Sequence, residues 1–330
     1  MDAAGLKDDS LFWKLQDVEP TYWDEYIATR PIYDQNIFHR IYDYHRSHSD
    51  LWGNALDIGT GSGSAIGVLA EQFKHVVASD NDPKSLEFAR HRYAHVSAER
   101  LSYIVSSGED LIQHQPPQTF DLITCAETFP LLDTQIALDN IFALLQPRGT
   151  LAIWFYGPPF FTEQDIAPKC QPILDSIMDR NFRAVISDGG EAWRASWKRA
   201  ADGMFSWLDY IPFSHEKWRN VRRHKWNSHA RLSFFTPHAC DFLIEPTISV
   251  VQDQVVTQAR DPAFWQVSWN VSMIRKFVRA SFPKREALNG LDEEMELLFE
   301  KLSEAMGGHE VETSLSWPAV LILAEKAEEV

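Results

Sequence analysis

ALDIGTGSGSAIGVLAEQF, residues 55–73, is the stretch from which the fold is read. An apolar run closes on Asp57. Gly59, Gly61 and Gly63 then alternate with small hydroxyl-bearing residues, after which Ile66, Leu69, Ala70 and Phe73 recur at helical spacing. The order is strand, glycine turn, helix. Glycine at such a turn lets the backbone bend sharply and lets a ligand approach the main chain. The unpaired N–H groups of the helix start then face whatever binds.

Two ligand classes use this geometry. A dinucleotide sets its pyrophosphate on the helix start and wants G-x-G-x-x-G. Counted from Gly59, the last required glycine falls on Ser64; counted from Gly61, it falls on Ile66. The fingerprint fails in both registers. Asp57, just before the loop, repels a pyrophosphate and favours a ligand carrying an ammonium group. Asp80 closes the next strand, where an acid accepts hydrogen bonds from ribose hydroxyls. An acid for an amine, a glycine turn and an acid for a ribose together describe S-adenosylmethionine.

Outward from the loop, the period switches between strand and helix. NALDI, HVVASD, LSYIVSS, FDLITCAE and TLAIWFY read as strands; PKSLEFARHRYAHV and DTQIALDNIFALLQP read as helices, with Pro83 at a favoured first position and Asp133 as a cap. Short apolar strands separated by helices imply an α/β fold with a doubly wound, mostly parallel seven-stranded sheet. Residues 1–50 are expected as an N-terminal helical segment. Residues 51–157 with 311–330 are expected as the ligand-binding core, and 158–310 as a mostly helical lid over a substrate. ISVVQDQVV (248–256) is the expected sixth strand, SLSWPAVLILAEK holds the last, and LDEEMELLFEKLSEAM (291–306) is a helix.

The 330 residues carry a formal net charge of −16, which disfavours nucleic acid and anionic membrane surfaces as partners. No apolar stretch is long enough to span a bilayer and no signal peptide is visible, so a cytoplasmic protein is expected. Cys125, Cys170 and Cys240 show no metal-ligand or disulfide spacing. His91 and His95 sit four apart on a helix but lack a third partner, so no metal is expected. RNVRRHK (219–225) reads as an exposed basic run, with an anion clamp as the sharper alternative. The twelve tryptophans suit both a packed lid and a pocket for an organic ligand.

Taken in order, LDIGTGSG, ASDNDPKSLEFAR, SSGEDL, FDLITCAE and LLQPRGTLAIW resemble the successive motifs of the Rossmann-like S-adenosylmethionine-dependent methyltransferases. YIATRPIYDQNIFHRIYDYH (26–45) and WPAVLILAEK (317–326) resemble the fungal branch around trans-aconitate methyltransferase. The resemblance implies that Asp57, Gly59, Thr60, Gly61 and Gly63 line the methionine part of the cofactor. It implies that Asp80 holds the ribose, that Asn81 flanks the adenosine, and that Ser107, Gly108 and Glu109 edge the adenine. Ala126 and Glu127 would lie near the sulfonium. Where relatives carry a His-Trp pair, this chain has Phe129 and Pro130, which suggests apolar bulk near the acceptor.

The implied reaction is methyl transfer to a small-molecule acceptor, an oxygen of a carboxylate or hydroxyl in secondary metabolism. A carboxylate needs no general base, whereas a hydroxyl gains from one. Candidates for that catalytic role are Tyr22, Trp23, Tyr26 and Arg30 before the core, and His229 or Arg231 in the lid. Two other readings are a cofactor-binding enzyme that steers a cyclisation or elimination without methylating, and a non-catalytic partner subunit.

Overall fold

The structure, a computed structural model, describes residues 22–33, 35–187, 190–282 and 293–328. Its centre is an eight-stranded sheet. The strands are β1 (Asn54–Ile58), β2 (His75–Asp80), β3 (Leu101–Val105), β4 (Phe120–Ala126), β5 (Leu145–Tyr156), β7 (Trp218–Trp226), β8 (Val255–Ala259) and β11 (Ala319–Lys326), in the order β3-β2-β1-β4-β5-β11-β7-β8. Pairing is parallel from β3 through β5 and again between β7 and β8; β11 runs antiparallel to both its neighbours. A second sheet of β6 (Phe160–Phe161), β9 (Val267–Trp269) and β10 (Thr313–Ser316) is antiparallel.

The chain moves outward from β1 to β3, then returns to β4 on the other side. The order therefore reverses between β1 and β4, where an open α/β sheet leaves a crevice at the strands' carboxyl ends. The crossovers are α3 (Ile66–Gln72), α4 (Pro83–Arg92) and α5 (Thr134–Leu144). Asp82 caps α4 by accepting the Ser85 N–H at 3.0 Å, and Asp133 caps α5 by accepting the Ile136 N–H at 3.1 Å. Ala55, Leu56, Val76, Leu122, Ile123, Leu151 and Ile153 are buried with no or almost no exposure, as a sheet covered on both faces requires.

Before the core lie α1 (Tyr22–Thr29) and α2 (Gln35–Arg46); α2 packs on β5 and β11. After β5 come α6 (Ala167–Ser187) and α7 (Glu191–Phe205), and later α8 (Val271–Ala280) and α9 (Glu293–Met306). Leu291, expected to start the last helix, lies outside the described residues.

Two expectations change here. The sheet has eight strands rather than seven, and the strand between β11 and the edge is the basic run Trp218–Trp226, not residues 248–256. Only the end of that apolar stretch joins, as the exposed edge strand β8. The physical reason is pairing. Arg223 is fully buried, donating from Nε to Gln254 Oε1 at 2.9 Å and from its two terminal nitrogens to the carbonyls of Leu208 (2.9 Å) and Ile211 (2.8 Å). Lys225 is buried against Asp209 at 2.6 Å. The run is therefore a sheet strand that leaves Arg219 and Arg222 exposed and turns Arg223 and Lys225 inward, where partners within the fold hold them in place of an anion. It follows that residues 158–310 are more than a lid, since they supply β7 and β8 to the central sheet.

Candidate active site

A cavity of about 1010 Å³ opens over the carboxyl ends of β1 to β4. Its floor is the glycine loop. Gly59 has φ +67°, and a Cβ there would lie 2.2 Å from the Thr128 hydroxyl oxygen, so the loop touches the segment after β4 only because the side chain is absent. Gly61 has φ +51°, and a Cβ there would meet nothing within 4 Å; it would project into open space. Gly63 is not in the cavity wall. It abuts the ring of Tyr93, so its place in the glycine pattern serves packing of the turn, a correction to its expected place on the ligand.

Two carboxylates face this loop. Asp57 accepts the hydroxyls of Thr60 and Thr124, both at 2.7 Å. Asp80 accepts the N–H groups of Gly61 at 2.8 Å and Asp82 at 3.0 Å. Burial pushes each up to about 6, against the pull of those hydrogen bonds. Among the described residues no ion pair reaches either. Two desolvated acids beside a loop whose Gly61 leaves a cradle fit a ligand that brings positive charge and hydroxyl donors. S-adenosylmethionine carries both, in its ammonium and sulfonium groups and its ribose. Asn81, Ser107, Gly108, Glu109, Ala126 and Glu127 line the same cavity. Glu109 also accepts the Asp133 N–H at 2.8 Å, and Gly108 sits against Leu132.

The other half of the cavity is aromatic, walled by Phe155, Phe182, Trp197, Phe234, Phe235 and Phe282. Trp23, Tyr26, Arg30 and Tyr33 close it from the segment before the core. Arg30 reaches α8 by donating to the Ala280 carbonyl at 3.0 Å, and its guanidinium lies 4.7 Å from the Tyr26 ring centre and 5.2 Å from that of Phe277. Glu25 pairs with Arg279 at 3.1 Å and Trp23 stacks on Phe88 at 5.0 Å, which fixes α1 over the opening.

Several candidates fall elsewhere. Tyr22 is buried beside Trp23 but outside the cavity wall. His229 is exposed and packs on Phe160, and Arg231 pairs with Asp175 at 3.1 Å; neither reaches the cavity. Phe129 is fully buried in the core rather than facing the acceptor, so the apolar character of that half comes from the aromatic residues just named. Of the tryptophans considered, Trp197 lines the cavity, while Trp226 stacks on Phe264 at 4.6 Å and Trp193 donates to the Val185 carbonyl. Tyr33, Val105, Thr128, Leu131 and Leu132 were not legible as wall residues, because no residue type or spacing marks a chain segment that meets the site only through the fold.

Comparison with known proteins agrees with this geometry. The family model described as "Methyltransferase domain" matches residues 56–153. The methyltransferase pgmE of Aspergillus terreus is 39% identical over 98% of this chain and 99% of its own length. The methyltransferase cfoB of Aspergillus candidus is 32% identical over 92% of this chain and 94% of its own. A solved structure of a candidate type II methyltransferase from Anaeromyxobacter dehalogenans superposes with a TM-score of 0.50 at 17% identity, over 91% of this chain and 99% of that one, and so shares the fold. The chain belongs to the S-adenosylmethionine-dependent methyltransferases. Its donor is S-adenosylmethionine, and the reading as a cofactor-binding protein without methyl transfer gives way to that membership. No helix among the described residues is long and apolar enough to cross a membrane.

Proposed function

We propose that this methyltransferase transfers the methyl group to an oxygen, a carboxylate or hydroxyl, of a small organic molecule of secondary metabolism. The carrying observation is that one cavity joins the glycine loop to the aromatic wall, so a donor on the loop and an acceptor against the wall would share a single chamber. Residues 51–157 with 311–328 then act as the donor platform, and much of 158–310 as the acceptor wall.

In this reading Asp57 and the loop from Gly59 to Gly61 hold the methionine end of the donor. Asp80 accepts the ribose hydroxyls, and Asn81, Ser107, Gly108 and Glu109 border the adenosine. Ala126 and Glu127 stand where the two halves of the cavity meet. The donor supplies an already activated methyl group. The protein's part is to orient the acceptor oxygen in line with it and to exclude water. The aromatic wall serves both ends, because it offers flat apolar faces and few competing hydrogen-bond partners.

Donor binding should depend on pH with a defined sign. Asp57 and Asp80 are protonated below about 6 in the free protein, and a cationic donor binds their charged forms. Calorimetric affinity for S-adenosylmethionine should therefore fall at least about tenfold between pH 8 and pH 5, one pKa unit below 6 being worth roughly a factor of ten. A flat profile would remove both acids from the donor's surroundings. Oxygen acceptance is tested directly by incubating the protein with methyl-labelled donor and a panel of phenols, aromatic acids and aliphatic tricarboxylates. Label is expected in an aromatic product as an ether or ester; label only on nitrogen, sulfur or carbon would refute the reading.

A further inference from the structure

We propose that Glu127 and Arg30 act as a base and oxyanion-holding pair, and that the acceptor they serve is a phenol. The proposal rests on the O-methylation reading above and names its substrate class and two residues that touch the reacting oxygen.

Glu127 follows β4 directly, at a left-handed backbone position with φ 57°. Its own N–H donates to the Trp154 carbonyl at 2.9 Å, and its Oε1 accepts the Tyr156 N–H at 2.6 Å. The side chain is thereby held in one orientation on the cavity wall. Its second carboxylate oxygen has no partner among the described residues, and the side chain is half-buried on the cavity wall. A non-glycine residue in this backbone region persists when surrounding bonds determine it, and such positions cluster at functional sites.

Arg30 lines the same cavity from the segment just after α1. One terminal nitrogen donates to the Ala280 carbonyl, and the planar group is boxed by the rings of Tyr26, Phe234, Phe277 and Tyr156 at 4.7, 5.4, 5.2 and 6.0 Å. Its Nε is buried without a hydrogen-bond partner. A buried donor left unsatisfied is costly, so a ligand oxygen at that N–H would recover what the protein alone forgoes. Arginine stays charged in such surroundings and therefore suits an oxygen that becomes negative.

These two groups discriminate among acceptors. A carboxylate acceptor is already anionic; it needs no base, and Glu127 would repel it. An acceptor that is neutral on binding and sheds a proton uses both groups. An aliphatic hydroxyl is too weak an acid for a carboxylate to deprotonate usefully, whereas a phenol, with pKa about 10, lies within reach of a carboxylate whose own basicity is raised. The aromatic wall provides faces for its ring.

The step balances without another reactant. The phenolic oxygen forms a bond to the methyl carbon as the S–C bond breaks, the electron pair remaining on sulfur. The phenolic proton passes to Glu127. One positive and one negative charge are lost together, which a poorly solvated chamber favours. The charged and titratable groups facing Glu127 are Arg30, Tyr26, Tyr33 and Tyr156. Burial pushes Glu127 well above the usual carboxylate range, while the Tyr156 N–H and the Arg30 charge pull it back. Burial also pushes all three tyrosines upward, so they stay protonated and do not compete as bases.

The test is Glu127→Gln, whose amide oxygen still accepts the Tyr156 N–H. With a phenol and saturating donor, kcat should fall by about 10²–10⁴-fold while calorimetric affinity for S-adenosylhomocysteine stays within twofold. The wild-type kcat profile should show an acid limb well above the ordinary carboxylate range, and the variant should lose that limb. The defect should shrink for a nitrophenol, which ionises unaided. Arg30→Gln should slow the same acceptor by at least tenfold without changing the donor's affinity. An unchanged kcat in Glu127→Gln would overturn the proposal. So would methyl transfer to carboxylates or aliphatic hydroxyls but to no phenol, which leaves the O-methylation reading standing; transfer to none of the three defeats both.

Discussion

Gly61→Leu should produce a folded protein that no longer binds its methyl donor. A Cβ at Gly61 meets no protein atom within 4 Å, so the added side chain enters the space in which the donor is proposed to lie. Leucine at φ +51° costs about 1–2 kcal/mol of backbone strain, a few degrees in Tm for a chain of this size. The affinity for S-adenosylmethionine should fall at least about a hundredfold, since the ligand and the side chain cannot share the volume. Gly59→Ala is the informative partner. Its Cβ would lie 2.2 Å from the Thr128 oxygen, so the damage there is to the protein itself and should appear first as a lowered melting temperature. Binding retained by the Gly61→Leu protein would place the donor elsewhere.

Arg223→Met should destabilise the protein by about 3–5 kcal/mol, the cost of breaking a buried charged network from one side. The substitution orphans Gln254 Oε1 and the carbonyls of Leu208 and Ile211, and it removes the charge 3.7 Å from Asp209. Burial already lowers Arg223 to about 10, partly offset by Asp209, which shows how fully it is desolvated. Chemical denaturation should show the midpoint shift at unchanged slope. Because none of these partners lines the cavity, donor affinity measured below the transition should be unaltered; a loss of affinity at full stability would give the basic run the ligand-facing role that its burial argues against.

The same arginine shows where sequence reading stops. β1, β2, β4 and β5 were legible because each is an apolar run bounded by a turn or a capped helix, and parallel strands buried on both faces must look that way, while the half-buried edge strand β3 was legible from its place in the alternation of strands and helices. β7 carries Arg219, Arg222, Arg223, His224 and Lys225, and by composition it reads as solvated surface. Its inward positions are satisfied by Asp209 and Gln254, which are distant in sequence, so no local pattern announces the strand. The donor-side acids were legible for the opposite reason. Asp57 and Asp80 end consecutive strands on either side of the glycine loop, and their meeting follows from topology alone. On the acceptor side, Tyr26 and Arg30 reach the cavity while His229 points to solvent. Residue type could not separate them, since all three can contact an acceptor and only tertiary placement decides.

A chamber roofed by α1 and walled by α6, α7, Phe234, Phe235 and the residues just after α8 also divides the chain into transferable parts. The stretch shared with the general methyltransferase model, 56–153, carries the donor half and almost none of the aromatic wall. Residues 22–33 together with 182–282 hold the rest, apart from Phe155 at the end of β5. Grafting those two segments between fungal relatives should exchange preference for the molecule methylated while leaving the grip on the donor intact, so that new products arise by rewriting the roof and side walls over an unaltered floor.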